Sequence, residues 1–222
     1  MKRLTLKLKG ISPILMNRPD IIKMWRDQEE SAKNMGKKRK DRPTREEEAR
    51  MKRYLLPDGN FCIEAKAVMR CIQTTGRLFT VNIIEGIDEN GNPVVSPKKV
   101  KADYYLGPAL IITEPVFPLM RNGKPINGED YEIYDDIAPI PSSGFGKPKG
   151  GCTPTARPKI NVPWELTCTF LYDDELFLNA EQVLKEVMKH AGMVTGLLSY
   201  RPACGGFFGK FSCESIEFSN LE

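Results

Sequence analysis

Residues Arg3–Lys9 alternate leucine with lysine, arginine or threonine. A period of two predicts a strand with one buried face. Gly10-Ile11-Ser12-Pro13 breaks it and Ile14-Leu15-Met16 extends it briefly. Further on, Tyr54-Leu55-Leu56 leads into the turn signal Pro57-Asp58-Gly59-Asn60. Phe61-Cys62-Ile63 then reads as a short strand entering a helix over about Glu64–Thr75. Ala65, Val68, Met69 and Ile72 share one face of that helix, Lys66 and Arg70 lie on another, and Gly76 is the stop. Val81–Ile87 and Pro93–Val95 bracket an Asn-Gly hairpin turn. Ala109–Ile112 and Val116–Met120 are strand candidates, and Asn122-Gly123 marks another turn. Trp164–Tyr172 alternates strongly and predicts a strand. Asn179 is the expected cap of a helix whose apolar residues are Ala180, Val183, Leu184, Val187, Met188 and Ala191, closed by Gly192. Phe208–Phe218 alternates again, as a C-terminal strand.

Two stretches do not fit this pattern. The segment at about 18–53 starts apolar at Ile21, Ile22, Met24 and Trp25, then turns almost wholly polar. Pro43-Thr44-Arg45-Glu46-Glu47-Glu48 looks like the start of a helix, since acidic residues suit a helix N-terminus. The second, at about 121–162, is rich in Pro, Gly, Ser and Lys over Ala138–Pro163 and reads as a long loop or an extended hairpin. Without them the core order is strand, helix, strands, strand, helix, strand. That order implies an α+β fold: a ferredoxin-like (RRM-like) antiparallel sheet with helices on one face and two large insertions in a single domain. The opposite face would be free for a ligand.

Composition narrows the chemistry. At 222 residues with 41% hydrophobic content, the chain can bury a real core. No apolar run approaches a membrane span, and the N-terminus lacks a signal-peptide core, so a cytoplasmic protein without membrane contact is expected. The six cysteines form no C-x-x-C pair and accompany one histidine. Zinc, a disulfide framework and a bound cofactor are therefore not expected. Asp135-Asp136 and Asp173-Asp174-Glu175 lack the spacing of a calcium loop and read as solvated strand ends. Net charge is only +4, yet Lys37, Lys38, Arg39, Lys40 and Arg42 are concentrated in the first insertion. Such a cluster neutralises phosphates even on a nearly balanced molecule. Arg157 and Lys159 add charge at the end of the second insertion.

The densest signal is Gly192–Gly209, with five glycines in eighteen residues between a helix and a strand. Glycines let a ligand approach the backbone, and consecutive N–H groups can cradle an anion. Arg201 and Lys210 supply positive charge around Gly205, Gly206 and Gly209. Tyr200, Phe207 and Phe208 offer planar surfaces on which bases can stack.

This helix–glycine-loop–strand ending, with Gly205-Gly206-Phe207-Phe208-Gly209-Lys210-Phe211, resembles the C-terminal glycine-rich loop of the RAMP superfamily. These are ferredoxin-like RNA-binding proteins of CRISPR antiviral defence complexes. Leu4–Met16 resembles the family's first strand and Phe61–Arg77 its first helix, although Ile63-Glu64-Ala65 stands where the family often has Pro-Gly. The nearest likeness is to the backbone subunit. It implies RNA binding, assembly with copies of itself and with other effector-complex subunits, and a guide or target strand as ligand. The ending also looks similar to phage-encoded proteins, which leaves single-stranded DNA or a structural role on the same fold open. Related RNA-processing enzymes imply a further alternative, a metal-independent endoribonuclease. His190 is then the candidate general acid or base, and Asp20, Asp27 and Asp41 are unassigned candidates in the first insertion.

Overall fold

The computed structural model describes residues 1–18, 43–139 and 152–221. In chain order these form β1 (Lys2–Gly10), β2 (Ile14–Leu15), α1 (Arg45–Met51), β3 (Cys62–Glu64), α2 (Ala65–Gly76), β4 (Thr80–Ile87) and β5 (Pro93–Lys101). There follow α3 (Asp103–Ala109), β6 (Leu110–Ile112), β7 (Val116–Arg121), β8 (Lys124–Pro125), β9 (Glu132–Pro139) and β10 (Cys152–Ile160). The chain ends with β11 (Glu165–Tyr172), α4 (Ala180–His190) and β12 (Phe211–Asn220). The protein is a mixed α/β molecule whose strand pairings are antiparallel.

The largest sheet has the order β12-β1-β11-β7-β3, with β6 also beside β11 and β8 beside β7. The last strand therefore lies next to the first. Leucine alternation in β1 explains its central position: Leu4, Leu6 and Leu8 are buried, and Arg3, Lys7 and Lys9 face water. Leu6 sits opposite Cys168 and Leu8 opposite Leu166, so the buried faces of β1 and β11 coincide. Ala65, Val68, Cys71 and Ile72 of α2 share that core with Ala180, Leu184, Val187 and Met188 of α4. Both helices thus bury the stripe their periodicity marks. Tyr172 ties sheet to helix by donating its hydroxyl to the Ala180 carbonyl at 2.8 Å.

The other face of the central strands is polar. It presents Thr5, Lys7 and Lys9 beside Thr167 and Thr169. Lys7 pairs with Glu217 at 3.7 Å and Lys9 with Glu214 at 3.4 Å. No aromatic ring stands on this face of β1, β11 or β12, so it offers no surface for stacking bases.

Several local expectations need correction. Asn179 precedes α4 in the left-handed region (φ 57°), and its side chain makes no capping bond. Gly192 does not close α4; the chain continues through a π-turn, Ala191–Thr195, and leaves it at Gly196. β12 begins at Phe211, because Phe208 and Gly209 belong to the preceding loop. α3 was not foreshadowed, since Gly107 and Pro108 obscure a seven-residue helix whose Leu106 and Ala109 are buried. The described part of the stretch at about 121–162 is extended and paired: β9 pairs with β10, and β10 also takes β2. The acidic groups stay at least partly open to water, with Asp135 and Glu175 exposed, but some carry ion pairs. Asp135 accepts two bonds from Arg45, at 2.6 and 2.7 Å, and Asp174 pairs with Lys2 at 2.9 Å. Among the described residues, no helix is long and apolar enough to cross a membrane.

Candidate functional site

α1 is built by a capping box: the Thr44 hydroxyl accepts from the Glu47 amide, and the Glu47 carboxylate accepts from the Thr44 amide. Glu48 then docks the helix on β10. Its carboxylate accepts from Lys52 at 2.5 Å, from Thr155 at 2.8 Å and from the Ala156 amide at 3.2 Å. Burial pushes the Glu48 carboxyl up, but these bonds outweigh it and hold the group below its ordinary value of 4.5. A depressed carboxyl contributes stability above its unfolded value and loses it as pH falls through the folded one. The difference in Tm between the wild type and Glu48→Gln is therefore expected to narrow as pH falls below the carboxyl's ordinary value of 4.5, followed by thermal denaturation.

This docking places Met51 and Tyr54 beside a groove of about 820 Å³. Lys66 and Arg70 reach it from α2, Arg201 from the glycine-rich loop, and Arg18 from the segment after β2. Four cations thus converge from three parts of the chain. Glu64 is the one carboxylate among the described residues that line the groove, 3.1 Å from Lys66. Among the described residues, Arg70 and Arg201 have no carboxylate within ion-pair distance. Arg201 is braced by a 3.0 Å bond from its guanidinium to the Leu198 carbonyl. Tyr54, Ala67, Cys71, Leu198 and Ser199 complete much of the lining. Burial pushes the Cys71 thiol up to about 12 and raises the Tyr54 phenol, so neither is a base or a nucleophile near neutral pH.

The glycine-rich loop is a closed, internally bonded structure. The Leu197 amide donates to Gly209 at 2.9 Å, Gly206 to Arg201 at 3.1 Å and Phe208 to Tyr200 at 3.0 Å. Gly209 also donates to Pro13 at 2.8 Å, tying the loop to the β1–β2 turn. Much of the glycine density follows from this packing. A Cβ on Gly192 would lie 1.8 Å from the Phe211 carbonyl oxygen, and one on Gly206 would lie 1.8 Å from that of Tyr200. Gly196, Gly205 and Gly209 hold positive φ.

Other expected contact residues fall elsewhere. Arg157 pairs with Asp136 at 3.3 Å, and Lys159 with Glu132 at 2.5 Å, so both cations are already engaged. Arg157 also covers the Tyr200 ring at 5.0 Å, while the Tyr200 hydroxyl donates to Asp136 at 3.2 Å. That bond holds the phenol above its ordinary value. The β9–β10 hairpin thereby clamps the residue next to Arg201. Phe208 is buried, against Tyr134, and is not a free stacking surface. Phe207 is 58% exposed. The Lys210 amide donates to the Ser12 hydroxyl at 2.9 Å. His190, exposed at the end of α4, stacks obliquely on Phe79 at 5.9 Å and does not line the groove. Lys37, Lys38, Arg39, Lys40, Arg42, Asp20, Asp27 and Asp41 lie outside the described residues.

Arg18 and Tyr54 do not stand out in the sequence as site residues, and Asp136 reads there as a solvated strand end rather than a metal ligand. Asp58-Gly59 and Pro13 flank their segments with ordinary turn signals, and nothing local marks their long-range partners. No family model matches the chain, and no curated protein matches it.

Proposed function

We propose that the protein binds single-stranded nucleic acid, RNA in the first instance, by cradling its backbone. The observation that carries this reading is the groove in which Arg18, Lys66, Arg70 and Arg201 converge against one carboxylate among the described residues. Clustered cations in a concave, partly apolar site concentrate a polyanion and release its counterions. A groove of about 820 Å³ has room for a short stretch of single strand. The chain path through β1, α2, β7, β11, α4 and β12, with the last strand beside the first, supports a ferredoxin-like frame. The position of the loop between α4 and β12 supports the RAMP-like reading, with the protein acting as a backbone subunit that assembles in several copies along a guide or target strand. The endoribonuclease alternative finds less support, because His190 stands apart from the groove cations.

The test is a salt titration of binding to a labelled single strand of roughly thirty nucleotides, read by fluorescence anisotropy. With about three groove cations on phosphates, the slope of log K against log salt should be about −2 for single strands. The matching duplex should compete poorly. A flat salt response, or equal affinity for duplex, would refute the proposal.

A further inference from the structure

The geometry points to Phe207 as a stacking platform for one unpaired nucleobase on the glycine-rich loop that also lends Arg201 to the groove, an inference that rests on the single-strand reading above. Three rings form a column. Tyr134 meets Phe208 edge-on at 5.0 Å, and Phe208 stacks on Phe207 at 4.2 Å with 29° between planes. Phe208 is 2% exposed and Phe207 58% exposed, so the column runs from the interior to an open outermost ring. Isolated exposed phenylalanines are common on protein surfaces. Phe207 differs in being held against a buried ring within a closed loop.

Its neighbours say what it faces. The Gly206 amide donates to the Arg201 carbonyl and the Phe208 amide to that of Tyr200. Phe207, between them, therefore runs alongside the residue that carries a groove cation. A Cβ added at Gly205 would meet nothing within 4 Å, so the loop is open two residues before Phe207. A planar apolar face on the same loop as a groove cation offers two kinds of contact, stacking for a base and charge for a phosphate. Tyr200 is not an equivalent platform, because Arg157 covers its ring and Asp136 takes its hydroxyl. The polar open face of the sheet has no ring to offer. Phe207 is thus the aromatic residue of the loop that is free to receive a base, and stacking does not depend on which base it is.

The experiment uses the full chain and a single strand carrying 2-aminopurine, as RNA and as DNA of the same sequence. Binding should quench the 2-aminopurine fluorescence. Phe207→Ala should abolish the quench and weaken binding roughly tenfold, with the slope of log K against log salt unchanged. Phe207→Trp should keep both quench and affinity. Quenching of the RNA strand alone would assign the site to RNA; equal quenching would assign it to either single strand. If the wild type binds the strand and Phe207→Ala binds equally, with the quench intact, the platform is disproved while the groove stands. If the wild type binds neither strand, both readings fall together.

Discussion

Reversing two charges of the groove, Arg70→Glu together with Arg201→Glu, is expected to weaken single-strand binding about a hundredfold or more at low salt. Each reversal removes a cation that would neutralise phosphate and sets a carboxylate in its place. The two residues come from α2 and from the glycine-rich loop, so a loss that exceeds either single change shows that both walls of one groove hold the strand. Arg70 is exposed and without a carboxylate partner among the described residues, so its replacement leaves the core untouched. Lys7→Glu, on the polar face of the sheet, is the control and should leave binding unchanged. Filter binding or anisotropy at low salt reads all of these, and restored affinity at neutral charge, in Arg70→Gln with Arg201→Gln, should be only partial.

Gly192→Ala is expected to destabilise the protein by about 3 kcal/mol or more, whereas Gly205→Ala costs about 1 kcal/mol. At Gly192 the added methyl carbon meets the backbone carbonyl of Phe211 at 1.8 Å. Backbone cannot rotate away as a side chain can, so π-turn and β12 must separate. At Gly205 the space is open and only the positive φ of 74° is strained. For a chain of this size the first change should lower Tm by roughly 6–12 °C and the second by a few degrees. The contrast separates two reasons for a glycine-dense loop. Gly192 serves the fold; Gly205 leaves surface open.

The central strands and two helices were legible because their signals are local. Leucine alternation in β1, the apolar stripes of α2 and α4, and the acidic start of α1 each depend on residues a few positions apart. What was not legible depends on distant partners. Arg18 reaches the groove because Ile14 and Leu15 pair with Ile160 and Lys159, and the Arg18 amide bonds the Lys52 carbonyl. Asp136 reads as a solvated acid until Arg157 and Tyr200 are seen on it. Arg157 and Lys159 read as free cations until their carboxylate partners appear across the hairpin. Glycine density has the same ambiguity. A sequence cannot distinguish a glycine that admits a ligand from one that admits the chain's own carbonyl, as at Gly192 and Gly206. Lys66 and Arg70 were read correctly as one helical face, and the loop's Arg201 is brought to that face by packing that no short-range pattern encodes.

The most direct measurement is photo-crosslinking of a 4-thiouridine-substituted single strand to the full chain, with the modified peptides mapped by mass spectrometry. Binding in the groove places the crosslinks on peptides containing Tyr54, Lys66–Arg70 and Ser199–Phe207. Crosslinks confined to the polar sheet face or to β4–β5, with none on those peptides, would contradict it.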